Sequence, residues 1–203
     1  GVGNLRSIAK SIEKANFDNN LNYSVKVSSD VNDIKRSDKI VLPGQGSFKA
    51  CKEGIDNIKG LQDELNESVL VKKKPIYGIC AGMQLFATNG HEEKKTAGLN
   101  WIPGEVIKLD LGLSKLKIPH MGWNELKVEN VSNVFKNIFN NNHAYFIHSY
   151  EFIPKDKKNI SITTNYGKAV MAAVSSGNIY GSQFHPEKSQ NTGIKILTNF
   201  LNL

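Results

Sequence analysis

Gly78-Ile79-Cys80-Ala81-Gly82 is the stretch that decides the fold of this chain. An apolar segment before it predicts a short buried strand, and residues 83–88 after it predict a helix. A nucleophile with a glycine two residues away on each side, at a strand-to-helix turn, is typical of a nucleophile elbow. The small neighbours allow close packing while the thiol projects, and the helix N-terminus favours the thiolate. The alternative is that Cys80 is a buried hydrophobic residue, as most free cysteines are.

A second segment, Gln183-Phe184-His185-Pro186-Glu187, carries the partners that a cysteine nucleophile needs. Such a nucleophile requires a base to take the thiol proton and a third group to orient that base. Pro186 is expected to end a strand over residues 179–184, so that His185 and Glu187 lie in the loop beyond it. Taken alone, His185 would be interpreted as a structural or surface histidine and Glu187 as a solvated carboxylate. Together with the elbow they indicate a catalytic triad.

On these motifs the chain resembles the class I, or triad-type, glutamine amidotransferases. Among them it is most similar to the glutaminase subunit of imidazole glycerol phosphate synthase. The matching segments occur in the family's order and span nearly the whole chain: Gly1-Val2-Gly3-Asn4-Leu5, Leu42-Pro43-Gly44-Gln45-Gly46-Ser47-Phe48, Gly78-Ile79-Cys80-Ala81-Gly82-Met83-Gln84-Leu85, Pro119-His120-Met121-Gly122-Trp123-Asn124, Tyr145-Phe146-Ile147-His148-Ser149-Tyr150 and Gln183-Phe184-His185-Pro186-Glu187-Lys188-Ser189. The elbow and the His-Pro-Glu segment indicate the superfamily, and the segments 119–124 and 145–150 indicate the histidine-pathway member.

The resemblance implies hydrolysis of L-glutamine to L-glutamate and ammonia through a thioester on Cys80. His185 would act as the base and Glu187 would orient it. Ammonia would pass to a cyclase (synthase) subunit that makes imidazole glycerol phosphate and AICAR in histidine biosynthesis, so the working enzyme would be a heterodimer. No cofactor is expected, and the spacing of the histidines predicts no metal site.

The resemblance also implies roles for residues outside the triad. Backbone N–H groups of Ala81 and of Gly44-Gln45-Gly46 would bind the oxyanion, although that loop alone could equally be a phosphate cradle or a plain turn. Gln84, one helical turn after Cys80, would contact the substrate together with Ser149 and Tyr150. The alternatives without a function are that Gln84 is a surface glutamine and that Tyr150 is a core aromatic residue. The residues that would face the partner at the ammonia passage are Asn4, Trp123, Tyr145 and Lys188, of which Trp123 could equally be core.

The order of predicted elements indicates a single α/β domain over residues 1–203. Helices and strands alternate in the first half, including a helix over 4–15, a strand over 24–27, and a helix from the elbow to Asn89-Gly90. The second half predicts strands over 104–109, 125–128, 143–153, 160–164, 169–175 and 179–184, and a closing helix over 192–201. We therefore expect the three-layer, flavodoxin-like amidotransferase fold, with a mostly parallel central sheet and antiparallel additions. The family's first strand is absent before Gly1, and its loss would be expected to lower stability.

Composition narrows the classes of function. The chain has 203 residues, 39% of them hydrophobic, and a net charge of +7 that is scattered rather than gathered in an aromatic-rich basic stripe. Two cysteines make a disulfide framework improbable, and no signal peptide or apolar span is visible, so we expect a cytoplasmic protein that binds neither nucleic acid nor membrane. The alternatives left open are a glutaminase for another acceptor such as a surface sugar, a catalytically silent partner-binding subunit, and a nucleic-acid binder.

Overall fold

The computed structural model describes residues 2–203, with side chains from Leu5 onward. The helices are α1 (Val2–Asp18), α2 (Val31–Arg36), α3 (Phe48–Asp56), α4 (Leu61–Asn66), α5 (Ala81–Gln84) and α6 (Gln190–Leu201). The strands are β1 (Ile40–Gly44), β2 (Ile76–Cys80), β3 (Asn89–Gly90), β4 (Thr96–Ala97), β5 (Gly104–Lys108), β6 (His120–Glu125), β7 (Lys127–Val128), β8 (His143–His148), β9 (Tyr150–Pro154), β10 (Ile160–Asn165), β11 (Ala169–Ser176) and β12 (Ile179–Ser182). A π-helical turn, Glu67–Val71, prolongs α4, and 3₁₀ turns cover Lys157–Asn159 and Pro186–Lys188. Within this described part of the chain, no helix is long and apolar enough to cross a membrane.

A six-stranded mixed sheet forms the centre of the fold, in the order β1-β2-β12-β11-β10-β7. Strands β1, β2 and β12 are parallel, and β11, β10 and β7 each run antiparallel to their neighbours. The carboxyl ends of the parallel strands therefore meet at one end of the sheet, where Gly44 stands opposite Cys80. Open α/β sheets bind their ligands at this end. The predicted α/β class with antiparallel additions is confirmed, but the central sheet is mixed rather than mostly parallel, since β11, β10 and β7 contribute three antiparallel pairings.

Helices cover both faces of this sheet, which gives the three predicted layers. Side chains of β2 alternate between the faces: Tyr77 packs with Ile12 of α1 and Phe200 of α6, whereas Ile76 belongs to the opposite core with Leu65 of α4. Because both faces are buried, the strand is apolar along its length.

Two smaller sheets, β4-β3-β5-β9 and β6-β8, flank the central one. The single strand predicted over residues 143–153 is instead broken at Ser149, so that β8 pairs with β6 while β9 pairs with β5. The Leu109 N–H donates to the Ser149 carbonyl at 2.9 Å and fixes the chain at this break. Likewise, the segment predicted as one strand over 125–128 divides between the end of β6 and the short β7.

Two predictions for the first half were wrong. Residues 24–27 form no strand. Val25 packs against the core, but Val27 is 58% exposed, so only one of the two valines contributes to the core. The helix after the elbow ends at Gln84 rather than at Asn89-Gly90, which lie in β3. The residues just beyond it pair with another segment instead, because N–H groups of residues 99–102 donate to the carbonyls of residues 85–87 at 2.7–3.0 Å.

Candidate active site

Cys80 ends β2 in the strained backbone conformation that an elbow requires, with φ of 54° and ψ of −116°. For a residue other than glycine, such a conformation costs about 1–3 kcal/mol and persists only when the surroundings hold it. The two flanking glycines explain how the turn fits. A Cβ at Gly78 would lie 2.6 Å from the Cα of Met83, and one at Gly82 would lie 2.0 Å from the Leu42 carbonyl oxygen. Close backbone packing therefore fixes the thiol at the end of the sheet.

His185 and Glu187 lie beside Cys80, as the sequence predicted. His185 follows β12 and precedes the 3₁₀ turn, and its Nδ1 is 2.8 Å from Oε1 of Glu187. Burial lowers the pKa of His185, but hydrogen bonds with Cys80 and Glu187 raise it by more, to a net value of about 9. The imidazole therefore favours its charged form, which suits a partner that must stabilise negative charge on sulfur.

A pair of buried glutamines connects to the sulfur from the other side. Gln183 donates from Nε2 to the Sγ of Cys80 at 3.5 Å, and its Oε1 accepts from Nε2 of Gln84 at 2.8 Å. Gln84 was predicted to be near the nucleophile, and the exposed-glutamine alternative is wrong because only 5% of the residue is exposed. The sequence analysis assigns Gln183 no role. Its position two residues before His185 is the available signal.

The predicted oxyanion loop lies against the elbow. A Cβ at Gly44 would lie 2.0 Å from the Gly82 nitrogen, so glycine is required for this approach. Gly46, whose φ is 105°, faces the same cavity as Ala81. The Gln45 carbonyl accepts from the Cys51 thiol at 3.6 Å, so it is directed towards α3.

A cavity of about 260 Å³ opens over the thiol and is large enough for an amino-acid-sized ligand. Its lining residues are Gly46, Cys80, Ala81, Gln84, Glu92, Pro119, Ile147, His148, Ser149 and Tyr150. The predicted substrate residues Ser149 and Tyr150 are thus brought to the nucleophile by the break between β8 and β9. Sequence reasoning missed Glu92, whose carboxylate also accepts the Phe48 N–H at 2.7 Å. In sequence Glu92 is one charge in a polar turn, and no signal distinguishes it from a solvated side chain.

The residues predicted to face a partner form one cluster, which we call the aromatic patch: Trp123, Tyr145 and Lys188. The Trp123 and Tyr145 rings meet edge to face with centroids 6.0 Å apart, and the Lys188 Nζ is 5.6 Å from the Tyr145 ring centroid. Trp123 is 48% exposed, so it is a surface residue and not part of the core. The Tyr145 carbonyl accepts the His185 N–H at 2.9 Å, which joins the patch to the triad. The side chain of Asn4, also predicted here, lies outside the described residues.

Comparison with known proteins agrees with this geometry. The family model "Glutamine amidotransferase class-I" matches residues 2–203, so the chain belongs to the class-I glutamine amidotransferase family and is an enzyme of that class. A solved structure titled "Crystal structure of glutamine amidotransferase" superposes with a TM-score of 0.71 at 14% identity, covering 98% of this chain and 94% of that one, and supports the fold.

Sequence relatives narrow the class further. The chain is 49% identical over 201 residues to "Imidazole glycerol phosphate synthase subunit HisH" of Pelagibacter ubique (strain HTCC1062), covering 99% of this chain and 95% of that protein. It is 40% identical over 204 residues to the protein of the same name from Brucella suis biovar 1 (strain 1330), covering 99% and 94%. Within the amidotransferases, therefore, it groups with subunits of that synthase.

Proposed function

We propose that this chain is the glutaminase subunit of an imidazole glycerol phosphate synthase. It hydrolyses L-glutamine to L-glutamate and ammonia and supplies the ammonia to a cyclase subunit in histidine biosynthesis. The observation that carries the proposal is the hydrogen-bonded set Cys80, His185 and Glu187, of which Cys80 lines a cavity together with Gln84 and Tyr150. The relatives named above are subunits of the same synthase.

The reaction begins with attack of the Cys80 thiolate on the carboxamide carbon of glutamine. The oxygen of the tetrahedral intermediate becomes negative, and the Ala81 N–H with one from the loop 44–46 would stabilise it; one such donor is worth ~10²–10³ in rate. His185 gives a proton to the departing ammonia, and a thioester remains on the sulfur. His185 then takes a proton from water, which attacks the thioester and releases glutamate. Glu187 keeps Nδ1 of His185 protonated, so that Nε2 faces the reaction.

The polar groups of the cavity suit the amino-acid end of glutamine. Glu92 supplies a carboxylate for the α-ammonium group, and its anchoring by the Phe48 N–H at 2.7 Å holds it ready. Ser149 supplies a hydroxyl and backbone groups for the α-carboxylate. These assignments predict that Glu92→Gln raises KM for glutamine more than it lowers kcat.

Ammonia released at this site has to reach an acceptor before it takes up a proton, because ammonium is not nucleophilic. The aromatic patch lies beside the catalytic base, to which Tyr145 is joined through its carbonyl. We assign the patch, with Asn4, to the interface with the cyclase subunit. Its exposed Trp123 offers the kind of aromatic anchor that interfaces favour.

The decisive experiment measures glutamate release from L-glutamine with and without the histidine-pathway cyclase subunit and its nucleotide ligand, with Cys80→Ala as the blank. The proposal expects a large increase in rate only with the liganded cyclase. A Cys80-dependent rate that ignores this cyclase would assign the glutaminase to another acceptor. No Cys80-dependent rate under either condition would overturn the proposed activity.

A further inference from the structure

Two histidines that the proposed reaction does not use lie buried side by side at the cavity, and one of them, His148, lines it. His120 on β6 and His148 at the end of β8 are register partners, and Nδ1 of His120 is 3.0 Å from Nε2 of His148. The His120 ring stacks against Phe146 and Tyr166 with centroids 4.6 and 4.0 Å apart. Stacking on both rings leaves the imidazole little freedom to turn, so its two nitrogens have fixed partners.

The partners decide which nitrogen of His148 carries hydrogen. Nδ1 of His148 is 2.9 Å from the Tyr150 carbonyl, which can only accept, so Nδ1 must be protonated. In the neutral ring Nε2 is then bare and accepts a hydrogen bond. Its neighbour, Nδ1 of His120, must therefore be the donor.

Asn124 determines whether the other nitrogen of His120, Nε2, carries hydrogen. Its amide orientation is fixed twice: Nδ2 donates to the Asn165 carbonyl at 2.9 Å, and Oδ1 accepts the Glu125 N–H at 2.8 Å. The same Nδ2 is 3.2 Å from Nε2 of His120. Nε2 of His120 must therefore be an acceptor, which agrees with a proton on its Nδ1.

A proton added to either ring would set a donor against a donor. A second proton on His120 would face the Asn124 amide, and a second proton on His148 would force His120 into the tautomer that faces that amide. Burial acts in the same direction, since it lowers the pKa of His120 and of His148 to about 4. Both rings are thus neutral at physiological pH, and both carry hydrogen on Nδ1.

We propose that His120 and His148 are positioning residues that hold the glutamine-binding turn, residues 148–150, in its working conformation. This inference rests on the proposed function and deepens it. The Tyr150 carbonyl, which His148 holds, also accepts Nε2 of Gln84 at 3.1 Å, and Gln84 leads through Gln183 to the nucleophile. The pair therefore fixes the wall of the cavity and, through the shared carbonyl, the glutamines behind the sulfur.

The first test reads the tautomers directly, by ¹⁵N NMR of the histidine rings in the wild-type protein near neutral pH. Both His120 and His148 are expected to show a protonated Nδ1 and a bare Nε2, which is the minor tautomer of free imidazole. His143, which is half-exposed on the same strand as His148, serves as the internal reference. A charged ring or an Nε2–H tautomer at either buried position overturns the proposal.

The second test compares variants of His120 in the complex with the cyclase. His120→Asn keeps a donor near the Nδ1 position, whereas His120→Leu keeps the apolar volume and removes it. Losing about one buried hydrogen bond predicts a rise in KM for glutamine of roughly tenfold in His120→Leu, with rescue to within about threefold in His120→Asn. His143→Leu is the matched control and leaves both constants unchanged. If His120→Leu folds and its KM equals that of wild type, the pair has no positioning role.

The two proposals fail in different ways. A wild-type protein without glutaminase activity would refute the proposed function, whereas the tautomers would still be read by NMR. An active enzyme with the wrong tautomers, or with equal KM in all three variants, would leave the function standing and remove the positioning role.

Discussion

Two regions meet at the glutamine cavity, the loop after β12 and the paired strands β6 and β8, and each buries histidine. The exposed fractions are nearly equal, 4% for His185 against 6% for His148 and 2% for His120. Their pKa values nevertheless diverge, to about 9 for His185 and to about 4 for the other two. Burial lowers the pKa of all three. What differs is the neighbour: hydrogen bonds with Cys80 and Glu187 favour the charged form of His185, whereas burial lowers the pKa of His120 and outweighs the Tyr150 carbonyl, which by itself would raise the pKa of His148.

This enzyme separates two uses of one residue type by the groups that face the ring, because Cys80 and Glu187 raise the pKa of His185 whereas burial dominates at His120 and His148. A histidine beside Glu187 can take up and give back a proton during turnover. Histidines held between an amide and a carbonyl keep one fixed tautomer and act as rigid connectors. Removing the neighbours of His185 tests whether the difference between the two regions depends on them.

The largest effect is expected from Cys80→Ala, which removes both the nucleophile and one group that raises the pKa of His185. Glutamate release in the cyclase complex should fall by a factor of about 10⁴ or more. An NMR titration of the histidines should show a lower pKa for His185 while His120 and His148 stay neutral. Retained Cys80-independent turnover would contradict the triad.

Glu187→Gln should have the next largest effect, because it keeps the shape of the side chain and removes its charge. By analogy with other triads, kcat should fall by about 10³–10⁴. The pKa of His185 should fall clearly below 9, towards the value of its buried neighbours. Glu13→Gln on the exposed face of α1 is the matched control for loss of one carboxylate. An unchanged His185 pKa would show that the carboxylate does not set the difference between the regions.

Stability should depend on pH in opposite directions for the two regions. An unfolded histidine titrates near about 6.5, so His185, whose folded pKa is raised, stabilises fully below that pH and loses its contribution as pH rises towards 9. His120 and His148, whose folded pKa is lowered, stabilise above about 6.5 and lose their contribution as pH falls towards 4. The titratable groups that face these two histidines are the other histidine of the pair, Tyr166 beside His120, and His185 near His148.

The unfolding free energy, measured by urea titration, is therefore expected to peak near about pH 6.5. His120→Leu should flatten the decline on the acid side between about pH 6.5 and 5, above the range where carboxylates titrate. Glu187→Gln should flatten the decline on the alkaline side. If the unfolding free energy varied with pH in the same way in the variants and in the wild type, these histidines would not cause the acid and alkaline declines.

The smallest effect is expected from Cys51→Ala, and it extends the comparison to the two cysteines. Burial raises the pKa of Cys51 to about 11, and its thiol makes one long contact, 3.6 Å, to the Gln45 carbonyl. Turnover should stay within about twofold of wild type, since such a contact is weak. Iodoacetamide at neutral pH followed by mass spectrometry should alkylate Cys80 and spare Cys51. Preferential alkylation of Cys51 would reverse the assignment of the reactive thiol.

What the sequence could predict was local. The elbow was visible because the requirement for glycine at positions 78 and 82 comes from neighbours within the turn and the strand beside it. The His-Pro-Glu segment was visible because its base and its orienting carboxylate are only two residues apart. These two signals predict the meeting of Cys80, His185 and Glu187, and the alternation of helices and strands along the chain predicts the α/β fold.

What the sequence could not predict depended on distant segments. The strand expected at 24–27 failed because pairing needs a partner that no local pattern names. The helix after the elbow is short because a loop more than ten residues away pairs with the carbonyls of residues 85–87, which a longer helix would have used. The pairing of His120 with His148 arises from the register of β6 on β8, which neither strand reveals by itself.

The link between Tyr145 and His185 has a consequence for how this surface can change. It runs through the main-chain carbonyl of Tyr145, and the Tyr145 N–H is held in turn by the Ser189 hydroxyl at 3.0 Å. Neither bond uses the phenol ring. Evolution or protein engineering can therefore exchange the ring to suit a new subunit without disturbing the base, provided that proline, which lacks the N–H, is avoided. With the proposed interface, docking specificity depends on the ring of Tyr145 and the position of the base on its main chain, so the two can vary separately.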